Sequence, residues 1–187
     1  MEESIDVVIK AKNFAHEKHK NQKQKDKVEP YIDHLEKVVN RLKNLGVSDQ
    51  NILSAAWLHG TIDYTGTTFD EINKIFGNAI SVIVLSLTKD MTLDKKEIEL
   101  QYIQQLRHST IHAKLIKFCD LSQSLKEISN SSMSKNQKNK QVKKLFFYLR
   151  IIKKEISENK SNYPKIQEHI DGINTVGAKF RQRPIIF

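Results

Sequence analysis

Apolar residues recur along this chain at spacings of three and four residues rather than two, which is the period of helices and not of strands. Only six glycines and three prolines interrupt the 187 residues, so long stretches can remain helical. Leu35, Val38, Val39 and Leu42 form a typical stripe along one helical face. The pattern predicts an all-α protein, built as a bundle of about eight to ten helices.

Capping residues predict where several of these helices begin and end. Pro30 suits the first turn of one helix, and Gly46 suits its left-handed end. Asp49 predicts the start of the next helix, which ends near Gly60 and leaves residues 60–67 as a loop. Further helices are predicted over residues 68–77, 78–87, 93–106, 109–128 and 142–156, and after Tyr163-Pro164.

One domain accounts for the length of the chain, because a globular core usually holds up to roughly 200 residues. We expect this domain to span residues 1–160 and to contain a mobile, polar loop over residues 129–139. Residues 161–187 then form a C-terminal helix and tail. The tail either docks on the core or on another subunit, or it forms a loose terminus, which is the more common outcome.

The chain carries 31 lysines and arginines against 22 acidic residues, which gives a net charge of +9. Such a charge attracts polyanions, including nucleotides and nucleic acid. Charge spread over solvated helix faces is the simpler explanation, and no arginine-rich cluster with interleaved aromatic residues is present. Nucleic acid therefore remains a minor alternative among the partners.

Three features indicate a cytoplasmic protein without a membrane span. The longest apolar run, over residues 79–87, is too short to cross a bilayer. The N-terminal residues lack the basic start and apolar block of a signal peptide. The single cysteine, Cys119, cannot form an internal disulfide bond.

Three polar side chains occupy positions where the helical pattern expects apolar ones. Asp120 shares a helical face with Ala113 and Ile116. His59 continues the apolar stripe of the helix before it, and His34 lies just beside the apolar stripe of its own helix. A buried carboxylate must be protonated, paired with a cation or bound to a metal. One buried histidine alone is more often a satisfied core residue, and the aspartate could pair with a lysine. Together, the three suit a first-row divalent ion if their helices converge.

The sequence around these residues resembles the hydrolase domain of the RelA/SpoT group, and most closely the stand-alone small alarmone hydrolases. The resemblance covers about residues 5–155 in order and spacing. It rests on the segments His19-Lys20-Asn21-Gln22, Lys25-Asp26, Pro30-Tyr31-Ile32-Asp33-His34-Leu35, Ala55-Ala56-Trp57-Leu58-His59, Thr65-Gly66-Thr67-Thr68 and Ala113-Lys114-Leu115-Ile116-Lys117-Phe118-Cys119-Asp120.

This resemblance implies an HD-domain helical bundle that holds manganese and removes pyrophosphate from the 3′ position of guanosine tetra- or pentaphosphate. The implied partner is a guanine nucleotide polyphosphate or a related nucleotide, and the oligomeric state is left open. The metal ligands implied by position are His34, His59 and Asp120. Asp63 is the implied catalytic carboxylate. The implied substrate contacts are Lys25, Tyr31 and Ser124.

The chain departs from the family pattern within the site itself. The motif His-Asp-Thr-x-Glu-Asp-Thr reads His59-Gly60-Thr61-Ile62-Asp63-Tyr64-Thr65. Gly60 therefore replaces an aspartate ligand, which weakens the expected hold on Mn²⁺. Asp63 and Tyr64 replace the pair that positions the attacking water, and a phenol with a pKa near ~10 stays protonated at neutral pH. Ser124 replaces an asparagine, Gln24 a basic residue and Leu145 an aromatic residue.

Because these departures concentrate in the site, we hypothesise that the fold serves a task other than efficient alarmone hydrolysis. The first interpretation is a protein with lost or strongly reduced hydrolysis that binds a ligand or has a regulatory role. The second is an active metal-dependent phosphohydrolase in which Asp63 and a water replace the missing ligand. The third is a basic module that binds nucleic acid or protein.

Overall fold

The computed structural model describes residues 6–20, residue 22 and residues 30–187. Over these residues the chain forms ten α-helices and one short 3-10 helix, without any strand. The prediction of an all-α bundle is confirmed. The α-helices are α1 (Val7–Lys18), α2 (Tyr31–Asn44), α3 (Gln50–Leu58), α4 (Thr61–Thr65), α5 (Phe69–Phe76), α6 (Asn78–Leu87), α7 (Lys95–His108), α8 (Ile111–Asn130), α9 (Lys135–Glu158) and α10 (Ile166–Lys179).

Helix α8 lies at the centre of the bundle, where it packs against α2, α3, α6, α9 and α10. Most of its apolar side chains are fully buried, including Leu115, Ile116, Phe118 and Leu125. Burial of each such side chain stabilises the fold by roughly 1.5–3 kcal/mol before the entropy cost of ordering it. The backbone of α8 is therefore held from several sides, and its polar residues have fixed positions within the core.

Several helix boundaries lie where the capping residues predict them. The Asp49 carboxylate accepts hydrogen bonds from the backbone N–H groups of Asn51 and Ile52, at 2.8 and 3.0 Å. The Thr68 hydroxyl accepts one from the N–H of Glu71 at 3.1 Å. Gly46 follows α2 with φ of 90°, a conformation that a side chain would disfavour. Local hydrogen bonding therefore accounts for these ends.

The loop predicted over residues 60–67 is interrupted by a short helix, α4, so this expectation was wrong in part. Gly60 adopts φ of 88°, which turns the chain sharply after α3 and lets a new helix begin. The Thr61 hydroxyl donates to the carbonyl of Leu58 at 2.6 Å, and the Thr65 hydroxyl donates to the carbonyl of Thr61 at 2.7 Å. These two side-chain hydrogen bonds support α4, although its sequence has no apolar periodicity from which a helix could be predicted.

The polar loop predicted over residues 129–139 is also mostly helical. Helix α8 continues to Asn130, and α9 begins at Lys135, so that only residues 131–134 lie outside a helix. Ser134 and Gln137 form a capping box: the Ser134 hydroxyl accepts from the Gln137 N–H, and the Gln137 side chain accepts from the Ser134 N–H. The first turns of α9 are exposed, so their sequence carries no apolar stripe to reveal the helix.

The C-terminal segment docks on the core, the first of the alternatives that the sequence left open. Helix α10 packs against α8 and buries Ile166, Ile170 and Ile173. Beyond it, Ile185 is buried, and its backbone N–H and C=O bond the side-chain amide of Asn174 at 2.8 and 2.9 Å. Among the described helices, none combines the length and the hydropathy that crossing a bilayer requires.

Two glycines of α10 provide a matched test of this docking. A Cβ atom on Gly177 would lie 2.2 Å from the Phe146 ring on α9, whereas one on Gly172 would meet nothing within 4 Å. Gly177→Ala should lower the free energy of unfolding by about 1–3 kcal/mol because the core is overpacked. Gly172→Ala should raise it by roughly 0.5–1 kcal/mol through helix propensity. Urea denaturation measures both changes, and a Gly177→Ala variant as stable as the unmodified protein would contradict this packing.

Candidate metal centre

Three helices bring two histidines and an aspartate together. His34 comes from α2, His59 directly follows α3, and Asp120 lies in the middle of α8. One ligand atom from each side chain lies within 4.8 Å of the other two. Both histidines are buried, at 5% and 7% exposure. Three nitrogen and oxygen donors at this separation can surround one divalent cation.

The protonation state of His59 suits a metal ligand. Its Nδ1 lies 2.6 Å from the carbonyl oxygen of Ala56, which can only accept, so Nδ1 carries the proton and Nε2 has a lone pair. This Nε2 atom is buried without a hydrogen-bond partner within the described residues. Burial lowers the pKa of His59 to about 4, so the imidazole is neutral at pH 7. A cation would supply the interaction that Nε2 lacks, and the residues present therefore fit a metal ion.

His34 lies between two carboxylates. Its Nδ1 is 3.1 Å from Oε2 of Glu127, and its Nε2 is 3.2 Å from Oδ1 of Asp120. Burial alone would lower the pKa of His34, but the hydrogen bonds and charges of Asp120 and Glu127 outweigh it and raise the pKa to about 9. A carboxylate on the outer nitrogen is the usual support for a histidine that binds metal. Glu127 therefore orients His34 towards the centre.

Asp120 is held by a buried ion pair. Lys117 lies 2.8 Å from its Oδ2, and the Ser124 hydroxyl donates to its Oδ1 at 3.3 Å. Burial favours the neutral carboxyl, yet the charge of Lys117 and the hydrogen bond and charge of His34 keep the pKa of Asp120 well below its usual range. The Lys117 ammonium also lies 5.5 and 5.6 Å from the ring centres of Tyr102 and Tyr148. A metal ion would compete with Lys117 for Asp120.

The space around Gly60, where the sequence resemblance leads one to expect an aspartate, is crowded. A Cβ atom on Gly60 would lie 2.6 Å from the Tyr31 hydroxyl and 3.2 Å from the ring of Tyr64. The two tyrosine rings meet edge to face with their centres 5.5 Å apart. Together with the positive φ of Gly60, this contact leaves no room for a side chain unless Tyr31 moves.

Two adjoining cavities meet at this centre. The larger one measures about 580 Å³, and His59, Asp63, Lys89 and Asp120 line it together with Tyr31. The smaller one measures about 280 Å³ and is lined by His34, Ser124 and Leu145, among others. Both share Tyr31, Tyr64, Lys117 and Asp120. A ligand of nucleotide size fits the larger volume, because small-molecule pockets commonly measure ≈ 300–1,000 Å³.

Asp63 faces this larger cavity from α4. Its Oδ1 accepts a hydrogen bond from the backbone N–H of Lys89 at 2.9 Å. Burial raises its pKa from the ordinary value. The carboxylate is therefore present in the cavity, although one of its oxygens already has a backbone partner.

The structure thus places six of the seven candidate residues around one centre. Lys25 lies outside the described residues, as does most of the basic run from Lys18 to Lys27. Sequence reasoning missed Lys117, Glu127 and Lys89 as members of the site. The first two lie three residues before and seven residues after Asp120 on the same helical face, a signal that the period of α8 provides. Lys89 follows α6 outside any helix, where no periodicity indicates its direction.

Comparison with known proteins identifies the class. A family model described as "HD domain" matches residues 11–150. The chain belongs to this HD-domain family, whose hydrolases depend on metal ions.

Its relatives include the guanosine-3′,5′-bis(diphosphate) 3′-pyrophosphohydrolase MESH1 of Danio rerio, with 38% identity over 67% of this chain and 71% of that protein. MESH1 of Homo sapiens is 36% identical over 65% of this chain and 69% of the human protein. A solved structure of a metazoan ortholog of SpoT, described as hydrolysing ppGpp, has a TM-score of 0.82 at 20% identity. It covers 98% of this chain and 100% of that one, which shows a shared fold.

Replacing His59 should remove metal binding. His59→Ala is expected to weaken Mn²⁺ binding by more than about 100-fold, since loss of an outer-shell partner alone commonly costs 10–100-fold. His112→Ala, an exposed histidine on α8, is the matched control and should bind as the unmodified protein does. Electron paramagnetic resonance of free Mn²⁺ measures both affinities. Equal affinity in the two variants would rule out the centre as the binding site.

Metal binding should also depend on pH. The pKa of His34 is raised to about 9, so at neutral pH this imidazole carries a proton that an ion must displace. Affinity for Mn²⁺ should therefore rise with pH by up to about tenfold per unit until His34 has lost its proton. Titration calorimetry between pH 6.5 and 8.5, in buffers of different ionisation enthalpy, should detect one released proton. An affinity that does not change over this range would refute the displacement.

Proposed function

We propose that this protein binds a guanine nucleotide polyphosphate, together with a divalent ion, in the cavities beside His34, His59 and Asp120, and that hydrolysis there is lost or strongly reduced. The substrate class follows from the names of its MESH1 relatives, which act on guanosine 3′,5′-bis(diphosphate). The observation that carries the loss of hydrolysis is the crowding of Gly60 by the side chains of Tyr31 and Tyr64, at the position where the family motif that the sequence resembles has an aspartate.

Gly60 limits how strongly the centre can hold an ion. Without its aspartate the ligand set is two neutral imidazoles and one carboxylate, which lowers the ligand charge. Lys117 adds a positive charge 2.8 Å from that carboxylate. When bound, a divalent ion such as Mn²⁺ would polarise a phosphoryl oxygen and lower the pKa of a coordinated water. A weaker hold on the ion reduces both effects.

Activation of the attacking water is also impaired. Burial and the nearby carboxylates of Asp63 and Asp120 raise the pKa of Tyr64, so this phenol stays protonated at neutral pH and cannot serve as a base. Asp63 has a shorter side chain than the glutamate that it replaces, and its Oδ1 accepts from the Lys89 N–H. A displacement of about 1 Å at such a position can cost on the order of 100-fold in rate.

Binding groups, by contrast, remain in the cavity. The ammonium groups of Lys89 and Lys117 lie 4.6 and 5.5 Å from the ring centre of Tyr102, so two cations lie beside the same aromatic wall. Lysine contacts phosphate as a point charge that needs little geometric precision. Tyr31 contributes a further ring at the mouth of both cavities, against which a base can stack. These groups support retention of a polyphosphate nucleotide.

An active phosphohydrolase with an altered site is the second candidate. It is favoured by one observation: Asp63 lines the same cavity as His59 and Asp120, so its carboxylate is available near the centre. In that case Asp63 positions the water in place of the missing pair, and the reaction proceeds more slowly or on another nucleotide.

The deciding experiment measures binding and turnover separately. Guanosine 3′,5′-bis(diphosphate) with Mn²⁺ should raise the melting temperature by about 5 °C or more at a 100-fold excess over its dissociation constant. Pyrophosphate release from the same mixture should be close to the uncatalysed level. Turnover that His59→Ala abolishes would favour the second candidate, and an unchanged melting temperature would contradict both.

Restoring the family residues should restore hydrolysis only when space is made for them. The variant Gly60→Asp, Asp63→Glu, Tyr64→Asp and Tyr31→Phe removes the hydroxyl that a new Cβ would meet. We expect it to release pyrophosphate at least about tenfold faster than the unmodified protein, because an aspartate can adopt a positive φ and return a charged ligand.

The same variant with Tyr31 retained is the matched control and should gain less. The opposite order of the two rates would show that the Tyr31 hydroxyl does not exclude the ligand. Addition of His59→Ala to the faster variant should abolish its turnover.

A further inference from the structure

A second group of polar side chains lies outside the two cavities of the metal centre, between α2, α8 and α10. Two adjoining cavities of about 350 and 390 Å³ occur there, and both are lined by Arg41 of α2 and His169 of α10. Neither cavity shares a residue with those beside the metal centre. The described residues that line the proposed nucleotide site are therefore different from those that line this second group of cavities.

The guanidinium of Arg41 can donate hydrogen bonds to a ligand in addition to those that it donates to the protein. Its Nε donates to Oε1 of Gln123 at 2.9 Å, and its Nη1 donates to the Ser122 hydroxyl at 3.1 Å. Both partners are neutral, and among the described residues no carboxylate forms an ion pair with this guanidinium. A guanidinium has five N–H donors and is normally paired when it is withdrawn from water. Burial indeed lowers the pKa of Arg41 from its ordinary value.

His169 contributes an unpartnered atom beside Arg41. Its Nε2 lies 3.2 Å from Oδ1 of Asn44, while its Nδ1 is buried without a partner within the described part of the chain. The side chain is 9% exposed. Because Oδ1 of an amide only accepts, Nε2 carries the proton of the neutral ring, and Nδ1 requires a donor.

The two groups together match phosphate. Its oxygens accept hydrogen bonds from the spare N–H groups of Arg41. Inorganic phosphate at neutral pH still carries a proton that it can donate to Nδ1 of His169, and a phosphate monoester can do so as its monoanion. Sulfate offers the same acceptors but no such proton. Lys37 lines one cavity and Lys126 the other. Among the described lining residues Glu168 alone is acidic, so the charge of these residues favours an anion.

Hydrogen bonds connect this group to the metal centre. The Gln123 amide accepts from Arg41 and donates through Nε2 to Oε1 of Glu127 at 2.8 Å. Glu127 in turn accepts from Nδ1 of His34. A change at Arg41 therefore reaches a candidate metal ligand through only two intervening side chains.

We propose that the paired cavities bind a phosphate group, either inorganic phosphate or a phosphate monoester, through Arg41 and His169, and that its occupation is transmitted to His34 through Gln123 and Glu127. The site is separate from the nucleotide cavity and does not depend on binding there. An anion bound to the spare N–H groups of Arg41 pulls the guanidinium towards itself, which weakens the bond from Nε to Gln123 and loosens the Gln123 side chain that orients Glu127.

Nuclear magnetic resonance locates such binding directly. The amide of Gly172, which lines one cavity, and the imidazole of His169 should shift saturably when inorganic phosphate is titrated at constant ionic strength without metal. Sulfate should bind more weakly, and glycerol 3-phosphate distinguishes a monoester site from one that accepts the free ion only. Arg41→Gln should weaken binding by at least about tenfold, as expected for loss of a charge-assisted hydrogen bond.

Arg107→Gln is the matched control, because it removes the same charge from an exposed position on α7 and should leave the affinity unchanged. Lys126→Glu changes an exposed residue at the edge of the site and should weaken binding without affecting the fold. Phosphate binding that survives both Arg41→Gln and Lys126→Glu, or that weakens equally in Arg107→Gln, would overturn the site.

The connection to the metal centre has its own readout. Phosphate should shift the imidazole signals of His34 in the unmodified protein. In Gln123→Met, which keeps the size of the side chain but breaks the chain of hydrogen bonds, phosphate should still shift Gly172 and no longer shift His34. His34 signals that do not respond in the unmodified protein would overturn the connection.

Discussion

The structure depends on a set of charged groups that α8 carries through the middle of the bundle. Lys117, Asp120 and Glu127 lie on a helix whose apolar side chains are mostly buried, and His34 joins them from α2. Each charge would be costly in the core by itself, so the arrangement persists because every member has an opposite charge or a hydrogen bond. The same pairing fixes the side chains where an ion and a phosphate chain can meet.

Gly60 has the tightest surroundings of the glycines beside that centre. The Tyr31 hydroxyl lies in the space where a side chain on Gly60 would begin, and the backbone there has a positive φ. The scaffold around it is unaffected, because helices α2, α3 and α8 still bring His34, His59 and Asp120 together. The packing of these helices therefore positions the three side chains independently of what occupies the space beside Gly60.

The charge set also extends away from the cavity. Gln123 and Glu127 lie four residues apart on α8 and share a hydrogen bond, so the face of α8 that supports His34 continues to Arg41 and α10. The C-terminal helix thereby becomes part of the environment of the centre, although it contributes no candidate ligand.

The sequence by itself determined the helical class, most helix boundaries and the three candidate ligands, because these follow from local periodicity, capping and the family motif. It failed for α4 and for the start of α9, where threonine and serine hydrogen bonds support helices whose sequences carry no apolar stripe.

Only the tertiary structure decided that Lys117 pairs with Asp120, that Glu127 supports His34, and that Tyr31 occupies the space beside Gly60. The contacts of Glu127 with His34 and of Tyr31 with Gly60 join separate elements, and no pattern along one helix specifies which groups will meet across a core. Lys117 and Asp120 share one face of α8, but only the packing around α8 buries the two together.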